Sequence, residues 1–114
     1  MSDKIAVLTH ALDFIENRLR GDLSPQEVAD ACHYSLSGLQ KIFGHVFHIG
    51  LADYIARRRV TLAARDLLAT RDSILDIAVR YGYGSHEVFI RAFRRIWGET
   101  PGHFRKTRSF SQCH

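Results

Sequence analysis

SILDIAVRYGYGSHEVFIRAFRRIW, residues 73–97, repeats a pattern already present in SPQEVADACHYSLSGLQKIFGHVF, residues 24–47. At an offset of 49, Ser24 matches Ser73, Val28-Ala29 matches Ile77-Ala78, and Tyr34 matches Tyr83. The second block then gains one residue. At an offset of 50, Ser35 matches Ser85, Leu39 matches Phe89, Phe43 matches Phe93, Phe47 matches Trp97 and Tyr54 matches Phe104. A short capped helix with a small alanine inside it, a tight turn, and a second capped helix ending in aromatic residues make a helix-turn-helix pattern. The alanine lets the two helices cross closely. A generic helical bundle would not require the repeated spacing, whereas a pair of related units does.

Local signals place the elements. Asp3 can cap a first helix, Lys4 to about Leu19, whose Ile5, Leu8, Leu12, Ile15 and Leu19 recur at three- and four-residue intervals, with Arg20 and Gly21 ending it. Ser24 and Glu27 have capping-box spacing around Pro25 at the first helical position, and this second helix closes near Cys32. Ser35 caps a third helix to about Phe47, with Leu39, Ile42, Phe43 and Val46 facing inward. Ser73 to Asp76 repeats the box with Asp in the Glu position, opening a fifth helix that runs to Tyr81. Ser85 caps a sixth helix that Gly98 stops, and Thr100-Pro101 open a short last helix through Arg105.

Between the two blocks lies LADYIARRRVTLAARDLLA, residues 51–69, which reads as one long helix. Leu51, Ile55 and Leu62, with Ala56, Val60, Ala63 and Leu67, form two adjoining apolar stripes that flanking blocks can grip from both sides. At ~1.5 Å per residue it would span roughly 28 Å. No segment alternates with period two. The expected fold is therefore all-α: seven helices, with a first helix-turn-helix subdomain at 4–49, the linker helix at 51–69, a second subdomain at 73–106 and a patternless tail at 107–114.

The chain has 114 residues, 46% of them hydrophobic, enough for one ordinary domain or two very small ones sharing an element. Its charge is uneven: residues 1–50 hold four Lys/Arg and six Asp/Glu, and residues 51–114 hold twelve and six. The formal net charge of +4 favours a polyanionic partner. Cys32 and Cys113 do not make a disulfide framework, and no apolar run reaches the ~20 residues of a membrane span. A reducing cytoplasm is the expected location. No nucleophile elbow, phosphate loop or metal-ligand spacing appears, so neither an enzyme nor a cofactor is expected.

In a helix-turn-helix the second helix enters the major groove by its N-terminal part. The outward residues there are Ser37, Gln40 and Lys41, with Leu36, in the first unit, and His86, Glu87 and Arg91, with Ile90 and Val88 near the edge, in the second. Gln40 can pair with adenine, Lys41 and Arg91 with guanine, and Glu87 can accept from cytosine N4. The bland alternatives are solvated polar faces, and for Glu87 a salt bridge to Arg91 at i,i+4. Backbone phosphates are expected at the helix starts Ser24, Ser35, Ser73 and Ser85, and at Arg94, Arg95, Arg105 and Lys106. Of Arg57, Arg58 and Arg59, Arg58 is the expected phosphate contact. Phe43, Phe47, Phe89, Phe93, Trp97 and Phe104 stand at helical spacing and are read as core rather than as a base-stacking set. The rival reading from another class is a helical protein-interaction module without direct DNA contact.

Residues 73–105, SILDIAVRYGYGSHEVFIRAFRRIWGETPGHFR, resemble the second helix-turn-helix of AraC/XylS-type transcription regulators. The resemblance extends back through ADYIARRRVTLAARDLLA and SPQEVADACHYSLSGLQKIF, covering roughly residues 5 to 106, with IA, YGY, F, RAF, G and TP in the family's order and spacing. It implies two subdomains joined by the long helix, with both recognition helices entering successive major-groove segments of double-stranded DNA. It places base contacts at Ser37, Gln40, Lys41, His86, Glu87, Val88 and Arg91. It also implies recruitment of RNA polymerase. Relatives of this type usually carry a sensor or dimerisation domain, which leaves two expectations: a small regulator acting as a monomer, or an effector domain following Arg108.

Overall fold

The computed structural model describes the backbone of residues 3–112 and the side chains of residues 4–108. Among the described residues there are seven helices and no strand: α1 Asp3–Asn17, α2 Pro25–Ala31, α3 Leu36–Phe47, α4 Leu51–Ala69, α5 Ile74–Arg80, α6 His86–Trp97 and α7 Pro101–Gln112. They fall into two compact units that meet within α4, between Ala56 and Arg57.

The first unit is α1 to α3 with the start of α4. Ser24 closes a complete capping box: its Oγ accepts from the Glu27 amide at 3.2 Å, and its own amide donates to the Glu27 carboxylate at 2.9 Å. Ala29 is wholly buried, as a close crossing requires. The Tyr34 amide donates back to the Ala29 carbonyl at 3.0 Å, which closes the end of α2 and turns the chain through His33 in the left-handed region, φ 58°. Leu8, Ala11 and Ile15 of α1 are buried along with Leu39 and Phe43 of α3. Phe43 lies tilted against Phe47 and meets Tyr54 edge-on, centroids 4.7 and 5.4 Å apart.

The second unit repeats this plan. Ser73 Oγ accepts from the Asp76 amide at 3.0 Å, but the return half of the box is absent, the Asp side chain being one methylene shorter than Glu. The Tyr83 amide donates to the Ala78 carbonyl at 3.0 Å, and the left-handed residue is now Gly82, φ 81°. Glycine adopts that conformation without the Cβ clash that His33 must accept. Val60, Ala63, Ala64 and Leu67 of α4 enter a core with Ile77, Ala78, Tyr81, Phe89, Phe93 and Phe104. Phe93 repeats the role of Phe43, 6.1 Å from Trp97 and 5.3 Å from Phe104.

Several expectations need correction. α1 ends at Asn17, although Leu19 beyond it is buried all the same; the Asp3 side chain, offered as its cap, lies outside the described residues. Val46 is 47% exposed rather than inward, and Phe47 and Trp97, at 37% and 38%, are half-covered edges of their aromatic clusters rather than core. Leu62 and Ala56 of α4 are only half-buried. The largest change is at the end. α7 continues past Arg105 to Gln112, where a tail had been expected from residue 107. Arg108 lies over the Phe104 ring, 4.0 Å from its centroid, and pairs with Glu99 at 3.1 Å, so the turn just beyond Arg105 is tied back to the start of the helix. Cys113 lies outside the described residues.

Candidate nucleic-acid interface

The start of each second helix is set by a serine in extended conformation. Ser35 Oγ accepts from the Gly38 amide at 3.0 Å and Ser85 Oγ from the Val88 amide at 3.2 Å. Each cap satisfies one first-turn amide and leaves others pointing outward along the helix axis, where an anion is favoured. With Leu39 and Phe43 buried, the helical period turns Ser37, Gln40 and Lys41 to the opposite side of α3, and all three are exposed. Leu36 is half-buried.

On α6 the buried pair is Phe89 and Phe93, and the exposed side carries His86, Glu87, Val88, Arg91, Arg94 and Arg95. Among the described residues no ion pair joins Glu87 to Arg91, so both side chains remain in solvent instead of forming the i,i+4 bridge weighed above. Val88, apolar yet exposed near the front of the helix, can meet a thymine methyl. Ile90 is half-buried. Ser24, Ser73 and Lys106 are exposed, whereas Ser85 and Arg58 are half-buried.

Arg105, expected at the phosphate backbone, is half-buried and bonded within its own unit. Its Nε donates to the Leu67 carbonyl at 2.9 Å and its Nη2 to the Thr70 carbonyl at 3.2 Å. These are carbonyls at the C-terminal end of α4, which no later turn of that helix can satisfy, and a cation is also the charge that end favours. The side chain is thus drawn toward its own unit.

A polar cluster escaped the sequence reading. Asp66, only 8% exposed, accepts from Tyr81 Oη at 2.7 Å and from Arg80 Nη1 at 2.8 Å. Arg80 Nη2 reaches Asp72 at 2.5 Å. The Arg80 guanidinium holds the Asp72 carboxyl below the usual carboxylate range, and the two carboxylates push the guanidinium pKa up. One signal was available: Asp66 follows Ala63 by three residues, which puts a carboxylate on the stripe otherwise used for core.

Among the described residues no three of His, Cys, Asp and Glu form a metal-holding group, and no helix is long and apolar enough to cross a membrane. Cys32 is buried, and burial pushes its thiol pKa up.

Two units, each presenting a capped helix with a buried aromatic side and an exposed polar side, define a tandem helix-turn-helix protein. Residues 28–107 match the family described as a helix-turn-helix domain. The chain is 37% identical over 99 residues to regulatory protein SoxS of Escherichia coli (strain K12), a match that covers 87% of this chain and 92% of SoxS. It is 35% identical over 102 residues to the transposon Tn10 TetD protein of Escherichia coli, covering 90% of this chain and 74% of TetD. The crystal structure of a transcriptional regulator of the AraC-type DNA-binding-domain class from Chromobacterium violaceum superposes with a TM-score of 0.85, covering 96% of this chain and 97% of that one. At 24% identity that likeness speaks for the fold. The chain belongs to the AraC/XylS family of helix-turn-helix proteins.

Proposed function

We propose that this chain binds double-stranded DNA sequence-specifically as a transcription regulator, with α3 and α6 each entering the major groove. The observation that carries the reading is the repeat in three dimensions. Two serine-capped helices, each anchored by a buried Phe pair or Leu-Phe pair, expose Ser37, Gln40 and Lys41 on one and His86, Glu87, Val88 and Arg91 on the other. These side chains are the base readers: Gln40 toward adenine, Lys41 and Arg91 toward guanine, Glu87 toward cytosine N4 and Val88 toward a thymine methyl. The helix starts at Ser24, Ser35, Ser73 and Ser85, with Arg58, Arg94, Arg95 and Lys106, supply phosphate contacts that position without specifying.

The protein acts by binding rather than by catalysis. Its work in the cytoplasm, as an activator that recruits RNA polymerase, is part of the same reading and is supported by relatives that include a helix-turn-helix-type transcriptional activator, AarP of Providencia stuartii, and the transcriptional regulator Rob of Salmonella typhimurium. In this reading the chain comprises a first reader ending at about residue 49, the linker α4 and a second reader from residue 73.

Selection of bound sequences from a random duplex pool tests this. A recurring motif with two short conserved stretches is the expected result, and its affinity should fall steeply with salt as counterions are released. Absent binding, or binding indifferent to both sequence and salt, would favour the interaction-module alternative.

A further inference from the structure

Arg80 and Tyr81 stand at the end of α5, immediately before the turn from Gly82 to Gly84 that launches α6. Both are tied to one carboxylate oxygen on α4, Asp66 Oδ2, at 2.8 and 2.7 Å. Tyr81 is wholly buried, so its ring and hydroxyl are held by packing as well as by the bond. Arg80 is held a second time by Asp72 at 2.5 Å, and the Asp72 amide donates to Thr70 Oγ1 at 3.2 Å. The end of α5 is therefore clamped on two sides by charge-assisted bonds, the strong kind.

The first unit holds the matching place differently, by a single 3.2 Å bond between His10 Nε2 of α1 and the Ala31 carbonyl rather than by a shared carboxylate. At the 49-residue offset Arg80 corresponds to Ala31 and Tyr81 to Cys32. The Cys32 thiol makes only a long contact, 3.8 Å, to the Val7 carbonyl, beside an open cleft lined by Ala6, Val7, His10 and His33. Two copies of one plan thus differ at the residue that precedes the turn into the recognition helix.

We infer that Asp66 is a positioning residue for base reading by the second unit: through Arg80 and Tyr81 it sets the angle at which α6 presents His86, Glu87, Val88 and Arg91. The first unit reads with a helix whose entry is held by packing, by the His10 bond to the Ala31 carbonyl and by the long Cys32 contact, with no carboxylate among them. This rests on the DNA-binding reading above. A buried donor that loses its carboxylate must find another partner, and the cheapest adjustment is a shift of the α5 end, which passes directly into α6. A small displacement there blunts paired hydrogen bonds to base edges more than it affects phosphate contacts, since paired bonds need both atoms in place.

The test uses the whole chain, the operator from pool selection, and the variants Tyr81→Phe and Asp66→Asn. Base pairs are assigned to each unit by where Gln40→Ala and Arg91→Ala lose discrimination. Dissociation constants are then measured for single base-pair changes across the site. Discrimination at base pairs of the second unit should fall at least about five-fold in both variants, while that of the first unit stays within about two-fold. Amide exchange in α6 should quicken and that in α3 should not. Unchanged discrimination in both halves, or equal loss in both, overturns the assignment. If Asp66→Asn does not fold, Tyr81→Phe, which keeps the buried ring, decides alone. A wild-type protein with no sequence preference would instead defeat the DNA-binding reading itself.

Discussion

Replacing Arg105 by alanine separates two roles that the sequence could not tell apart. The structure gives this guanidinium two bonds to carbonyls at the end of α4, at 2.9 and 3.2 Å, so the variant leaves both carbonyls without their donor. Hydrogen bonds from a charged group contribute about 1.5 to 3 kcal/mol, and a cation at a helix C-terminus about 0.3 to 1. The site is half-buried and water can replace part of the loss. A destabilisation of about 2 kcal/mol is therefore expected. With an unfolding entropy of about 2.1 cal/mol/K per residue, that lowers the melting temperature by roughly 8 °C. Trp97, the single tryptophan, lies in the same unit, 5.2 Å from Phe104, and its fluorescence is a direct readout. Arg105→Lys should recover only part of the loss, because one ammonium cannot span both carbonyls. The slope of log affinity for DNA against log salt should not change. An unaltered melting temperature together with a slope smaller by about 0.9, the signature of one lost phosphate contact, would refute the capping role.

Arg91→Ala should relax base preference at one position at a cost of about 1 to 3 kcal/mol, whereas Lys106→Ala should weaken every sequence alike and reduce the salt slope by about one. Equal loss on all sites from the Arg91 variant would remove it from the base readers. His33→Gly should stabilise the protein by about 0.5 to 1 kcal/mol in thermal unfolding, since relief of the left-handed strain outweighs the added chain entropy, as Gly82 already shows at the matching place. No gain in melting temperature would count against that strain. Asp72 and Glu99 both have pKa values below the usual range, the first through Arg80 and the second through His103 and then Arg108. Depressed carboxylates contribute stability that is present above about pH 4 and is lost as pH falls through their lowered values. Melting temperature should therefore drop across that acid range, and Glu99→Gln should drop less; equal slopes in variant and wild type would contradict the pairing.

Much of the chain could be read locally. Ser24, Ser35, Ser73 and Ser85 are found as caps where the sequence placed them, and Gly98 takes the left-handed conformation that ends α6. α4 keeps its expected bounds from Leu51 to Ala69. The outward residues of α3 and α6 follow from the same period, because burying Leu39 and Phe43, or Phe89 and Phe93, dictates which side chains remain outside. What failed lay at the edges of these patterns. Val46 continues the apolar period of α3 yet stays 47% exposed, and α7 runs past Arg105, where Arg108 folds back on Phe104 and Glu99.

The sequence by itself determined the helices, their caps, the repeat and the polar faces, since each depends on residues within about one turn of each other and on a period that can be counted. Only the tertiary structure decided which charged side chains stay outside. Arg105 caps carbonyls 35 and 38 residues back along the chain, and Asp66 receives donors 14 and 15 residues ahead. A guanidinium or carboxylate has the same sequence appearance whether it faces water, phosphate or a buried partner. Its choice is made by which unsatisfied backbone group or opposite charge the packed core brings within reach.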